Sequence, residues 1–322
     1  MTSPARRRRG LVLGAGGVLG AAWTTGALCA LAEVEGFDPR DAAVLVGTSA
    51  GSVLAALLGA GLPASALRDH QLGLPVEGYE LAYDHDTATG GGPPSRPRLG
   101  IGSRSLLWRS ARHPRSVTPM AAVSAVLPAG TGSLAPVRAL VESVTPAGAG
   151  WVAHPAVWAV AMDFDTGQRV VFGREGAPPA RLADAVAASC AIPGWYAPVA
   201  IAGRRYVDGG AVSATSVDLL AGLGLDEVYV LAPMAAFVMD HPSAVIERLE
   251  RTFRARVTRR MEREAEVVRR GGTDVVMVAP GPEDLAAMGA NMMDPARREH
   301  VLQTSLRTSV AALRDSAEQA TG

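Results

Sequence analysis

Between the apolar run Ala43–Val46 and the Ala- and Leu-rich segment 50–58 sits the pentapeptide Gly47-Thr48-Ser49-Ala50-Gly51. A chain that passes from a buried strand into a helix over so few residues must turn sharply, and only small flanking residues avoid a collision there. Ser49 then projects from the turn at the helix N-terminus, where free N–H groups and the helix dipole favour developing negative charge. These residues predict a nucleophile elbow with Ser49 as the attacking group. An ordinary strand-to-helix turn with an N-cap serine uses the same residue types. The strand before and the helix after favour the nucleophile.

A second glycine-rich turn lies upstream, Gly14-Ala15-Gly16-Gly17-Val18-Leu19-Gly20. It follows the short strand Leu11–Leu13 and opens a helix expected over 20–35, with Trp23, Leu28, Leu31 and Val34 on its apolar side. A dinucleotide-binding turn joins the same two elements, and Glu33, Glu35 and Asp38 stand near the distance of a ribose contact. The G-x-G-x-x-G spacing, however, needs glycine where Leu19 stands. The other reading is an oxyanion hole built from the N–H groups of Gly16, Gly17 and Val18. Acyl transfer requires such donors, because charge builds on the carbonyl oxygen in the transition state. A serine elbow one strand–helix unit downstream tips the balance to the oxyanion hole.

A serine nucleophile needs a base. Six histidines are present, His70, His85, His113, His154, His241 and His300. None stands at a strand end beside small residues, and most read as surface groups. Asp208 differs: it ends the apolar strand Arg205-Tyr206-Val207, and Gly209 and Gly210 after it let the backbone approach another group closely. On those residues alone, a D-G turn is the plainer reading.

The remaining pattern is of short apolar strands alternating with helices, which argues for a parallel sheet covered on both faces. A strand pair is expected at 157–161 and 169–172, joined through Asp165-Thr166-Gly167. Asp163 and Asp165 lie near the start of that hairpin; Asp165 reads as a turn residue, and a metal site from the pair is disfavoured because other oxygen ligands are not evident nearby. A helix is expected over 181–190, and buried strands over 228–231 and 275–278. Between those strands, Ile246, Leu249, Phe253, Val257 and Met261 mark one apolar stripe of a long helix whose other faces carry Arg and Glu. The apolar loop with Trp195 and Tyr196 suits an acyl pocket or core packing equally well. Residues 84–102 have no periodicity, and 78–150 reads as a cap or insertion over the core.

Composition narrows the classes. Formal net charge is zero, which speaks against a nucleic-acid partner. All 31 basic residues are Arg, so lysine-based chemistry is excluded. Cys29 and Cys190 lie in apolar surroundings and read as reduced, buried thiols of a cytoplasmic protein. Arg6–Arg9 before an apolar stretch has the outline of a signal peptide. Five glycines between Gly14 and Gly26 would weaken its helical core, so a strand, turn and helix are expected instead. Residues 1–9 are expected to be a disordered basic N-terminus and 10–315 the folded domain.

Taken together, Gly14–Gly20, Gly47–Gly51 and Asp208-Gly209-Gly210, with Ala188–Pro198 before the last, resemble the patatin-like phospholipases over roughly residues 10–235. The resemblance implies a three-layer α/β/α sandwich with a largely parallel central sheet and a helical or irregular cap. It further implies a Ser49–Asp208 dyad in which Asp208 takes the serine proton without a histidine, and hydrolysis of acyl esters, often lipids, with no cofactor. Contact with a membrane surface is compatible with it. Two departures stand out. Leu19 occupies a position where the family commonly has Arg or Lys, and Ser213 and Ser216 appear where Asn and Pro usually follow the Asp-Gly-Gly. Two other readings stay open on the residues: an α/β-hydrolase with a Ser–Asp–His triad through His241 or His300, and a non-catalytic dinucleotide-binding protein using Gly14–Gly20. A transacylase would keep the same site and change only the acceptor.

Overall fold

Leu11, Val12 and Leu13 are all fully buried, so the first strand has no solvent face and must lie inside a sheet covered on both sides. The computed structural model describes residues 7–81, 100–113 and 117–321, with side chains to 315. In chain order it contains β1 (Arg9–Leu13), α1 (Gly17–Val34), β2 (Val44–Thr48), α2 (Ala50–Gly59), α3 (Ala64–Gln71), α4 (Arg104–Arg112), α5 (Pro119–Val126) and α6 (Ala135–Val144). There follow β3 (Val157–Asp163), β4 (Arg169–Phe172), α7 (Leu182–Ser189), β5 (Val199–Ile201), β6 (Arg204–Asp208) and β7 (Glu227–Leu231). The chain closes with α8 (Val245–Arg269), β8 (Asp274–Val278), α9 (Pro282–Met288) and α10 (Arg298–Thr321).

The strands form one sheet in the order β5-β6-β3-β2-β1-β7-β8, with β4 also paired to β3. Pairings β3–β2, β2–β1, β1–β7 and β7–β8 are parallel; β3–β4, β3–β6 and β5–β6 are antiparallel. Strand side chains alternate between two cores, as the period of two demands. Leu11, Leu13, Leu45 and Leu231 point to one face with α1, α2, α6, α7 and α10. Val12, Val46, Val160 and Val230 point to the other, against Met261, Ala265 and Val268 of α8. This is the α/β/α sandwich expected from the sequence.

Several expectations shift. Arg9 belongs to β1, pairing with Glu227 at 2.9 Å, and the Arg8 N–H donates to Asp226 at 2.7 Å, so the ordered chain starts before residue 10. Residues 1–6 lie outside those described. Within 78–150, α4 and α5 pack against Met162, Phe164 and Val207, while α6 joins α2 and α7 on the opposite face. Most of the 84–102 segment, His85 included, lies outside the described residues. Helix α1 is long and apolar enough to cross a membrane, yet 61% of it is buried inside the protein.

The long helix needs correction. Ile246 and Leu249, expected on its buried stripe, are 69% and 65% exposed, and the inward residues of that half are Arg251 and Arg254. Hydrogen bonds make this inversion tolerable. Arg251 pairs with Asp240 and Glu250, and the fully buried Arg254 pairs with Glu250 and donates to Pro233 O at 2.5 Å and to Met292 Sδ at 3.4 Å. Removing one partner of a buried ion pair strands the other charge, which typically costs 3–5 kcal/mol. Arg254→Met is therefore expected to lower the unfolding free energy by about 3 kcal/mol in urea titrations, whereas Ile246→Ala should change it by less than about 0.5 kcal/mol.

Candidate active site

Ser49 joins β2 to α2 with φ 54° and ψ −125°, a left-handed conformation that side-chain-bearing residues rarely adopt. Such a residue stores strain on the order of 1–3 kcal/mol and persists only where its surroundings over-determine it. Here they do. A Cβ on Gly47 would collide with Gly51 O and the Ser52 Cα, and one on Gly51 would collide with the Leu13 carbonyl and stand 2.8 Å from Gly14 O. The Ser49 N–H donates to Ser189 Oγ at 2.8 Å, and that hydroxyl donates to Val160 O at 2.6 Å. The Ser49 carbonyl accepts from both Ser52 N and Ser52 Oγ, at 2.8 and 2.7 Å.

Sheet register brings Asp208 to this turn. In β3, Val160 pairs with Thr48 and the next residue, Ala161, pairs with Asp208. Strand β4 occupies the other edge of β3 across both positions, so β6 must take up the edge of β3 where β2 leaves it. The ends of β2 and β6 therefore meet. Ser49 and Asp208 are both 5% exposed, and the Ser49 side chain is near enough to the Asp208 carboxyl to hold its pKa down against burial. Oδ1 of Asp208 also accepts the Gly210 N–H at 2.7 Å, and the Asp208 N–H donates to Ala191 O at 2.9 Å. Burial pushes the Asp208 carboxyl up to about 6, against the opposing pull of the Ser49 side chain and the Gly210 N–H. A carboxylate at that value binds a proton far more readily than an exposed one and still releases it near neutral pH.

The glycine-rich turn faces the same place. The Gly14 and Ala15 N–H groups are used on Leu231 O and Ala214 O, and the Leu19 N–H on Met292 O. Gly20 N–H turns back to Gly16 O. The N–H groups of Gly16, Gly17 and Val18 are engaged by no backbone acceptor among the described residues, as expected at the start of a helix. Gly17 takes φ +60°, and a Cβ there would stand 2.8 Å from Met293 Sδ. Gly17 and Val18 line one cavity with Ser49; Gly16, at the helix N-cap, is not part of its wall. Leu19, the departure in this loop, is fully buried and puts no charge toward the cavity.

That cavity has an empty volume of about 810 Å³, counting the open solvent at its mouth. From Ser49 it follows Val53, Leu54 and Leu57 along α2, facing Val137 and Leu140 of α6. Eight residues of helix separate Ser49 from Leu57, so at the helical rise the apolar wall extends about 12 Å. Tyr196 lines it and Trp195 does not. Its lining suits an apolar chain, with Ser49 and the first residues of α1 on the same wall.

The histidines are placed differently from one another. His154 is half-buried, its Nε2 2.8 Å from Ala42 O. His241 and His300 are exposed. His70 is buried at 7% exposure and lines the cavity, unlike the exposed His241 and His300. Burial lowers its pKa to about 4, with Arg298 adding to the effect. Asp163 and Asp165 serve the hairpin. Asp163 Oδ1 accepts the N–H groups of Asp165 and Thr166, and the two carboxylates pair with Arg204 and Arg205. Sequence reasoning missed the bracing role of Ser189. Ala188–Pro198 was visible as a motif, but what Ser189 does depends on α7 ending under β2.

A family model described as patatin-like phospholipase matches residues 11–221. No curated protein matches the chain. Among solved structures, VipD from Legionella pneumophila superposes with a TM-score of 0.47 at 14% identity, covering 97% of this chain and 67% of that one. The type III effector protein ExoU gives 0.37 at 18% identity, with 97% and 54% covered.

Proposed function

The chain belongs to the patatin-like phospholipase family, and on that footing we propose that it is a lipid acyl hydrolase working through a Ser49–Asp208 dyad. The observation that carries this reading is a strained elbow serine that lines an apolar slot and stands beside a buried carboxyl of raised pKa. Ser49 Oγ attacks the ester carbonyl carbon as its proton passes to Asp208. The Gly16, Gly17 and Val18 N–H groups receive the oxyanion, and each such donor is worth on the order of 10²–10³ in rate. Collapse breaks the bond to the alcohol, which leaves with the proton from Asp208. Water then attacks the acyl-enzyme, gives its proton to Asp208, and Ser49 recovers a proton as the fatty acid departs.

The substrate class we assign is phospholipid or lysophospholipid, with the acyl chain along α2 and the head group toward solvent. Exposed Phe237, Val238, Ile246 and Leu249 support peripheral contact with a lipid surface. We retain 78–150 as a cap on a single catalytic domain and a cytoplasmic location. Incubating the protein with a fluorophosphonate probe and with phospholipid vesicles tests the proposal. Labelling confined to the Ser49 peptide, together with fatty-acid release, is the expected result. NAD(P) binding without labelling would favour the dinucleotide reading instead.

A pH profile follows from Asp208. The base must be unprotonated to accept the serine proton, and its folded pKa is raised to about 6. The kcat/KM for a soluble ester should therefore be flat above neutrality and fall about tenfold per pH unit below 6. A profile flat down to pH 4.5 would remove Asp208 from the role of base.

A further inference from the structure

Helix α5 is packed the opposite way from a helix whose outer face meets only water. Its small residues Ala121 and Ala125 are buried in the cluster of Met162, Phe164 and Val207. Its large apolar residues Met120, Val123 and Leu127, spaced as one helical stripe, are 42%, 52% and 39% exposed. Exposed Ile101 adjoins the end of that stripe, since a Cβ on the next residue, Gly102, would stand 2.3 Å from Leu127 O. On the neighbouring α4, exposed Trp108 is one turn from Arg104 and one from Arg112, whose guanidinium lies 4.0 Å over the indole ring. Between Asp86 and Glu142 the sequence has seven arginines and no Asp or Glu, in a chain of zero formal net charge. Asp165, which accepts from Ser103 and Ser105 where α4 begins, is paired with Arg205.

Helix α5 is tied to the candidate site at both ends. Thr118 Oγ1, at its N-cap, donates to Ala211 O at 2.7 Å, three residues after Asp208. Beyond Leu127, the Gly132 N–H donates to Trp195 O at 3.0 Å, and Ser133, Leu134 and Tyr196 line the cavity. We propose that α4 and α5 form the face through which this protein sits on an anionic phospholipid bilayer, with the α5 stripe among the acyl chains and Arg104 and Arg112 on the phosphates. Apolar side chains flanked by arginines are what an interfacial helix presents. A tryptophan is favoured where acyl chains meet head groups, and each arginine near an anionic surface is worth about fivefold in affinity. A nucleic-acid partner would use the arginines and leave the aliphatic stripe in water. The apolar patch at Phe237–Leu249 has Asp240 and Glu247 within it, so the charge bias singles out α4 and α5. Passing acyl chains to the adjoining slot is a role that rests on the acyl-hydrolase reading; the binding itself does not.

The test is flotation of the whole chain with vesicles of phosphatidylcholine alone and of equimolar phosphatidylcholine and phosphatidylglycerol. The expected result is binding at least about tenfold stronger to the mixed vesicles, lowered by about tenfold or more in Arg104→Gln/Arg112→Gln. Trp108 gives a readout that needs no disruptive change. Mixed vesicles with brominated acyl chains should quench the fluorescence of the wild type far more than that of Trp108→Phe, whose remaining tryptophans are buried or half-buried. The vesicle comparison and the quenching decide by themselves if the arginine variant folds poorly. Equal binding to both vesicle types, or none to either, overturns the proposal, as does undiminished binding by a folded arginine variant. Quenching that persists in Trp108→Phe puts another face on the bilayer and also overturns it. Tighter binding to polyuridylate than to the mixed vesicles would give the arginines to nucleic acid instead. Vesicle binding through Trp108 without fluorophosphonate labelling of Ser49 fails the hydrolase reading and supports this face as a lipid-docking surface in its own right.

Discussion

Ser49→Ala is expected to lower kcat/KM toward any acyl ester by about 10⁴-fold or more and to abolish fluorophosphonate labelling, because the neighbouring Thr48 hydroxyl is buried and does not line the cavity. Asp208→Asn should cost a similar factor, on the order of 10⁴, while leaving Ser49 in place. The amide keeps the carboxylate's shape and can still accept the Gly210 N–H, but it cannot take the serine proton. Losses from the two single variants should not multiply in the double variant, since serine and base act as one unit. Steady-state kinetics on a soluble ester measures all three. Full activity in Asp208→Asn, with loss on replacing His241 or His300, would establish a histidine triad in its place.

Stability should move the other way. The folded Asp208 carboxyl sits at about 6 against an ordinary value of 3.8. Its folded pKa is raised, so the native state binds this proton more tightly than the unfolded chain does. The stabilisation by that proton is complete below 3.8 and is lost as pH rises through 6. At pH 8 the buried carboxylate opposes folding by an amount on the order of 3 kcal/mol, and Asp208→Asn relieves it. An inactive variant that unfolds at higher urea than wild type is the expected signature of a group retained for chemistry.

The second large effect concerns the turn itself. Gly51→Ala is expected to lose at least about 4 kcal/mol of unfolding free energy, or to give no soluble protein, because overpacking against backbone finds no relief. The added methyl would collide with the Leu13 carbonyl, which belongs to the central strand β1, and stand 2.8 Å from Gly14 O in the glycine-rich loop. Neither can move without displacing the sheet. By contrast, Ser52→Ala removes one hydrogen bond to the Ser49 carbonyl and should cost about 1 kcal/mol. Urea unfolding of the pair separates a steric requirement from a bonding one. If Gly51→Ala matched Ser52→Ala in stability, the tight contact of β1 with the elbow would be wrong.

Much of the architecture was legible because local patterns carry it. Short apolar runs such as Leu11–Leu13 and Val228–Leu231 have no polar face to show solvent, and so had to be interior strands. The outer end of α8 was misread for a related reason. Periodicity registers apolar side chains and assumes that they turn inward, whereas Arg251 and Arg254 are drawn in by carboxylates and carbonyls that the sequence places elsewhere. His70 and Gln71 escaped notice because nothing local marks a polar pair as cavity wall. Only the packing of α3 beside α1 puts them there.

The sharp turn at Ser49 and the need for its flanking glycines were legible in the sequence alone, since a strand and a helix in immediate succession leave room only for small residues between them. The glycine-rich loop before α1 was equally plain as a set of free N–H groups, though its partner was not. That Asp208 meets Ser49 is a decision of the tertiary structure. It depends on β6 continuing the edge of β3 from Ala161, one residue beyond the point where β2 ends. Register between strands far apart in the chain is a non-local quantity, set by how whole side-chain faces pack. No spacing along the chain records it.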